Sequence, residues 1–303
     1  MKGHQQILSA VVALAAGLLA ACGGGGGEEP PRSTATTTLL AAGDIAECDD
    51  DGDEQTAALL AEYPDAAIAT LGDNAYQHGT FEEFEECYGP SWGRFVERTH
   101  PATGNHDHAT EDARGYYEFF GERGGPFDDY FYSYELGAWH VVVLNSDCWR
   151  IGGCGAADRQ IEWLRQDLVQ SGARCTLAYW HRPPFSSGRY GDPKATDRVR
   201  PLWDTVVDAG VELVLTGHEH SYERFAPMNA AGEADPNGTE LIIVGTGGGN
   251  LRPFRNPPLP TTEVRDAGTW GVLKLELRPD GYDYDFLPVA GKTFTDSGSG
   301  VCR

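Results

Sequence analysis

Five short segments hold the residues that could do chemistry: "AAGDIA", "LGDNAY", "TGNHD", "YWHRPP" and "TGHEH". Taken singly each is weak, since a Gly-Asp pair is usually a turn and a lone histidine is usually a satisfied side chain. In order along one chain they offer the carboxylates of Asp44 and Asp73, the amide oxygen of Asn105, the phenol of Tyr76 and the imidazoles of His181, His218 and His220. That mixture of hard oxygens and imidazole nitrogens suits a pair of first-row metal ions. Two neighbouring cations repel, so a carboxylate shared between them would help to hold the pair.

The elements that must position these groups are legible in the apolar runs. Strands are expected in "TTTLLAAGD", "AAIATLGD", "FYSYEL", "WHVVVLNSD", "CTLAYWH", "VELVLTGHEH", "ELIIVGTGG", "WGVLKLEL" and "YDYDFLPV". Helical spacing appears in "DEQTAALLAEY", "ADRQIEWLRQDLVQS" and "ATDRVRPLWDTVVDAG", the last stopped by Gly210. Alternating strands and helices predict an α/β sheet covered by helices, with more antiparallel pairing towards the C-terminus. Asp44, Asp73, His181, His218 and His220 each follow a strand run, where open α/β sheets collect ligands. "GTGGGN" reads as a tight bend on the rim of the site, and "ECDDDGDE" as a solvated acidic loop without the calcium-loop positions. His78, His100 and His108 match no ligand position, and His78 and His108 read as rim histidines.

Asp and Glu number 46 against 23 Lys and Arg, a net charge of −23 that repels phosphate backbones and speaks against nucleic-acid binding. Residues 1–21 have a secretory signal's order of charge, apolar core and small residues, and "LAAC" resembles a bacterial lipobox. The resemblance implies cleavage before Cys22, lipid on its sulfur, and a flexible tether over 22–35 that holds a catalytic domain, 36–303, at the envelope membrane. An ordinary cleaved signal and secretion is the plainer alternative. Six further cysteines in an exported chain read as disulfides. They allow fifteen pairings, of which Cys48 with Cys87, Cys148 with Cys154 and Cys175 with Cys302 is the expected set.

The five blocks together resemble the calcineurin-like metallophosphoesterase superfamily, in its purple acid phosphatase branch, whose pattern runs GDxx, GDxxY, GNH(D/E), a histidine block and GHxH. The resemblance implies a four-layer α/β/β/α sandwich of two mixed sheets flanked by helices, with a dinuclear metal site at the C-terminal ends of strands. One ion would take Asp44, Tyr76, His220 and a bridging Asp73; the second would take Asp73, Asn105, His181 and His218. Ala46 stands where other branches have a histidine, and a phenolate from Tyr76 in that role favours Fe(III), with Fe(II), Zn or Mn beside it. The implied reaction is phosphate-ester hydrolysis, phosphomonoesters foremost, by a metal-bound hydroxide, with His106 assisting the leaving group and Asp107 orienting His106. Plant-type members carry extra substrate-facing histidines after the fourth block; this chain has none there, and Arg182 and Arg189 are the candidates to hold phosphate oxygens. Small phosphorylated substrates and the membrane are thus the expected partners. A phosphodiesterase, nucleotidase or pyrophosphatase on the same site is the alternative, and a non-catalytic surface-binding lipoprotein a more distant one.

Overall fold

The computed structural model describes residues 35–303 apart from 128 and 156; the expected signal segment, Cys22 and all of the tether but its last residue lie outside the described residues. The strands, in chain order, are β1 (Thr37–Ala42), β2 (Ala67–Leu71), β3 (Thr99–Ala102), β4 (Tyr132–Leu136), β5 (Trp139–Val143), β6 (Cys175–Tyr179) and β7 (Leu213–Thr216). They continue with β8 (Tyr222–Phe225), β9 (Glu240–Val244), β10 (Thr262–Asp266), β11 (Gly271–Arg278), β12 (Gly281–Pro288) and β13 (Ser297–Val301). One sheet has the order β13-β12-β11-β1-β2-β3 and the other β10-β8-β9-β7-β6-β5-β4. β1, β2 and β3 pair in parallel, as do β5, β6, β7 and β9, while β11, β12 and β13 are antiparallel.

Strand periodicity sorts the apolar side chains between two cores. Val141, Val143, Leu177, Tyr179, Leu213, Leu215, Ile242 and Val244 point into the inter-sheet core with Leu39, Ala41, Leu273 and Leu275 of the first sheet. Their neighbours Val142, Leu144, Ala178, Val214, Leu241 and Ile243 face a second core beneath helices Arg159–Ser171 and Arg200–Asp208. A sheet buried on both faces explains why these strands read as unbroken apolar runs rather than as alternation. Helix Gly52–Ala61 covers the first sheet with Ala57 and Leu60. The order is helices, sheet, sheet, helices, the α/β/β/α arrangement expected. Each fully buried Leu or Val contributes about 1.5–3 kcal/mol relative to exposure, so a one-residue slip of a central strand is strongly disfavoured.

Four strands escaped the sequence reading. β3 and β13 are edge strands: β13 is "SGSGV", exposed, where burial no longer demands apolar residues, and β3 is "THPA", largely buried but only four residues long and interrupted by a proline. β10 is one edge of the second sheet, and β8 is a short antiparallel return beside it. "FYSYELGAWHVVV" forms the expected hairpin, β4 with β5, whereas "RGYYEFF" just before it is the helix Arg114–Phe120. All three expected disulfides form, with Cα separations of 5.0 Å (Cys48–Cys87), 5.1 Å (Cys148–Cys154) and 5.2 Å (Cys175–Cys302).

Candidate metal centre

The parallel strands of both sheets end at one place. The loop after β1 is zipped to the loop after β2 by Asp44 N–H to Gly72 O (3.0 Å), Ile45 N–H to Asp73 O (3.0 Å) and Tyr76 N–H to Ala46 O (2.9 Å). Gly43 N–H donates across to Val244 O of the second sheet at 2.9 Å, and Gly217 N–H to His181 O at 2.9 Å. These bonds hold Asp44, Asp73, His218 and His220 at φ of 59°, 51°, 73° and 44°, left-handed conformations that L-residues rarely adopt. Four such residues in one cluster, at on the order of 1–3 kcal/mol each, mark a place where the scaffold stores strain to aim side chains. The glycines of the blocks are required by closeness: a Cβ on Gly217 would lie 2.7 Å from Asp44 Oδ2.

The side chains converge in two groups. The Tyr76 hydroxyl is 3.0 Å from Asp44 Oδ1, 3.3 Å from Asp73 Oδ2 and 3.1 Å from His220 Nε2. Asp73 Oδ2 is also 3.1 Å from His181 Nε2, which is 3.2 Å from His218 Nδ1. His181 donates from Nδ1 to Leu71 O (2.9 Å), and His220 from Nδ1 to Asn250 O (2.9 Å), so backbone carbonyls turn both Nε2 atoms inward. Asn105 Oδ1 is buried with no hydrogen-bond partner among the described residues. Asp73, His181 and His218 alone offer three ligand atoms within 4.8 Å of one another, all buried. Buried carboxylates and imidazoles gathered at one point, with an orphaned amide oxygen on the loop after β3, are the donor set that cations would satisfy.

Burial alone would raise the Asp73 carboxyl, but the imidazoles of His181, His106 and His218 outweigh it and hold Asp73 well below the usual carboxylate range. His181, although burial opposes its charge, is pushed up to about 9 by Asp73. Burial, then His181 and Arg182, drive His218 far down. Burial and the charges of Asp44 and Asp73 push the Tyr76 phenol far up, so a phenolate there requires a strong cation beside it.

The calcineurin-like phosphoesterase family model matches residues 37–222. The chain belongs to that family. It is 29% identical over 227 residues to purple acid phosphatase 15 of Arabidopsis thaliana, covering 63% of this chain and 41% of that protein. It is also 29% identical over 181 residues to human acid phosphatase type 7, covering 50% and 41% of the two chains. The chain thus spans about two-fifths of the length of these relatives. The fold is similar to that of a purple acid phosphatase from yellow lupin seeds, with a TM-score of 0.72 at 17% identity over 89% of this chain and 54% of that one.

All seven expected ligand residues lie on or near the strand ends described, and His106 stands beside them. Its N–H donates to Asp73 Oδ1 (2.7 Å), its Nδ1 donates to Gln77 O (2.7 Å), and its Nε2 lies 3.9 Å from Asp73 Oδ2. Asp107 does not orient His106. Its buried carboxylate accepts from Gly104 N–H (2.7 Å), Asn74 N–H (3.2 Å) and Asn74 Nδ2 (3.1 Å), because the chain turns into a short helix after His106 and points successive side chains apart. Burial, then the nearby Asp73 charge, push Asp107 up to about 7. Arg182 does reach the centre, its Nη1 lying 2.9 Å from His218 Nε2. Arg189 is exposed, its guanidinium 5.8 Å from the ring centre of Tyr190, and among the described residues it touches none of the seven.

Other expectations are corrected by burial. His108 is no rim residue: it is 3% exposed, its Nε2 3.2 Å from Thr103 Oγ1 and from the Asn145 amide. His100 stacks on Tyr134, while His78 is exposed near Glu83. The acidic segment is solvated only in part, since Asp53 is buried against Ser91 and Glu47 bonds the Asn250 side chain. "GTGGGN" does line the site, with Gly249 N–H bonded to Asp44 O at 2.8 Å.

Several positioning residues were missed. Asp147 pairs with Arg182 at 3.3 Å, and Ser146 Oγ accepts from Arg182 N–H at 2.9 Å. Both stand in "NSD" just past β5, the position that flagged the other blocks. Glu219, between His218 and His220, turns away to accept from Tyr190 N–H at 3.0 Å, which sets the Tyr190 ring 4.6 Å from that of His218. Arg252 donates from Nη1 to the Tyr190 hydroxyl at 2.8 Å; its one signal is that it closely follows the glycine loop.

Proposed function

We propose that the chain hydrolyses phosphate esters, phosphomonoesters foremost, to inorganic phosphate and an alcohol at a centre of two metal ions. The observation that carries this reading is the position of Asp73 Oδ2, 3.3 Å from the Tyr76 hydroxyl and 3.1 Å from His181 Nε2, where one carboxylate faces both ligand groups. Asp44, Asp73, Tyr76 and His220 would hold one ion, with Fe(III) favoured by the phenol. Asp73, Asn105, His181 and His218 would hold Fe(II), Zn or Mn. Bound there, the ions would supply Lewis acidity towards phosphoryl oxygens and a water of lowered pKa. His106, fixed through Nδ1 by Gln77 O, presents Nε2 to the partly open side and delivers the proton that the departing alkoxide needs. Arg182 holds phosphate oxygens, with Arg252 behind Tyr190 adding positive charge.

Three disulfides agree with an oxidising compartment. Export through the signal over 1–21, with lipid on Cys22 and a tether over 22–35, would place the domain 36–303 at the cell envelope.

The test is metal content of the purified protein together with hydrolysis of para-nitrophenyl phosphate and bis(para-nitrophenyl) phosphate across pH. Two ions per chain and faster monoester cleavage are expected, with both ions and activity lost together in Asp73→Ala. A protein that binds two ions yet cleaves neither ester would be a binding protein on this fold, and faster diester cleavage would make it a phosphodiesterase.

A further inference from the structure

Beside the metal centre lies a cluster that the reading above does not use. Trp149 is 41% exposed, in the short loop closed by Cys148–Cys154. The guanidinium of Arg182 sits 5.3 Å from the centre of its ring and that of Arg198 at 5.5 Å. Trp149, Arg182, Asp192, Lys194 and Arg198 line a cavity of about 360 Å³, within the range of small-molecule sites. Asp192, the one carboxylate in that lining, caps the helix Pro193–Thr196 by accepting from Lys194 N–H at 2.8 Å. Lys194 and Arg198 make no ion pair among the described residues. In a chain with twice as many acidic as basic residues, Arg182, Lys194 and Arg198 set against Asp192 and Asp147 leave a small local excess of positive charge.

The cavity and the candidate centre share one bordering side chain, Arg182. Arg182 bonds His218 Nε2 at 2.9 Å on one side and stands over Trp149 on the other, while Asp147, at 3.3 Å, fixes its guanidinium between the two. Asp147 neutralises Arg182, so the unpaired charge of the cavity is that of Lys194 and Arg198, and the indole of Trp149 stands beside Arg198 without neutralising it. That leaves N–H donors for an anion, and the anion nearest to a phosphoryl site is another group on the same substrate.

We propose that this cavity is a second anion subsite, which binds a further phosphate group on the part of the substrate that does not react. The favoured substrates are then small organic molecules bearing two or more phosphates. The proposal rests on the phosphatase reading of the metal centre.

The experiment compares fructose 1,6-bisphosphate with fructose 6-phosphate, for the full chain and for the double variant Lys194→Ala/Arg198→Ala. Wild type should favour the bisphosphate in kcat/KM by about tenfold, the size of one charge-assisted contact. The variant should bring the two within about twofold by losing only the bisphosphate rate, with the monophosphate unchanged. Equal rates on both in wild type, or a preference that survives in the variant, would overturn the subsite. Titration calorimetry on chelator-treated protein supplies a reading independent of turnover: tighter bisphosphate binding, lost in the variant, supports the subsite, and equal binding refutes it. Were wild type to hydrolyse neither sugar phosphate, the titration alone would decide the cavity, and the phosphatase reading would stand or fall on para-nitrophenyl phosphate.

Discussion

The hydroxyl of Tyr76 lies 3.0 Å from Asp44 Oδ1, with both side chains buried at the junction of the two sheets. Burial and the charges of Asp44 and Asp73 disfavour the phenolate more than the charge of Arg252 favours it, so loss of the phenolic proton needs a metal cation beside the oxygen. With iron bound and oxidised, the protein should therefore show a visible phenolate-to-iron band. Tyr76→Phe should abolish the band while the ion held by Asp73, His181 and His218 is retained. Absorption spectra with metal analysis check this; an unchanged band in the variant would remove Tyr76 from the ligand set.

His106 and Asp107 are neighbours in sequence with different work. His106→Ala should fold normally, keep its metals and lose turnover most for esters with poor leaving groups. Asp107→Ala strands the buried Asn74 and Gly104 donors and should cost on the order of 3 kcal/mol of stability. Denaturant titration beside a leaving-group series separates the two; equal stability of both variants would contradict the bracing role of Asp107.

A second titrating group lies far along the chain from the ligand blocks. His140 is buried between Asp167 (2.7 Å to Nε2) and Glu135 (2.7 Å to Nδ1). Burial opposes its charge, but the bonds to Asp167 and Glu135 win and raise its pKa. A raised histidine contributes stability that is full below its unfolded value of about 6.5 and is lost as pH climbs through the folded value. His140→Ala should accordingly cost about 1 kcal/mol at pH 5.5, less because Glu135 is largely exposed, and the deficit should shrink above neutrality. Melting temperatures of both proteins across pH measure it; a deficit that grows with pH would show that the histidine is neutral in the fold.

Cys22→Ala tests the proposed anchor. The variant should leave the membrane fraction and retain its hydrolytic activity, since the described domain begins after the tether. Retention on the membrane would show that lipid on Cys22 is not what holds it there.

Local physics made much of this molecule legible before any coordinates. A strand buried on both faces must be an apolar run, so β1, β2, β5, β6, β7 and β9 announce themselves. The polar residues that follow them stand at strand ends whichever way the sheets pack. The ligand residue types were reachable that way; the two-sheet architecture came only through the resemblance to a family, and the disulfide set was one choice among fifteen pairings that the structure then showed to form. The edge strand β13 was not, because exposure leaves its composition free, and β3 was not, because four residues with a proline among them carry no strand pattern.

Tertiary structure alone decided what depends on side chains meeting across long separations. Asp107 and His106 differ because the short helix that follows turns one towards Asn74 and the other towards Gln77. His108 is buried and Arg189 exposed although both stand near ligand blocks. Trp149, Arg182 and Arg198 are scattered in sequence, and the cavity they share exists only because the strand ends and the loop closed by Cys148–Cys154 meet there. Residue types determine which chemistry is available; packing determines which groups share a low-dielectric space, and their energies depend steeply on that distance.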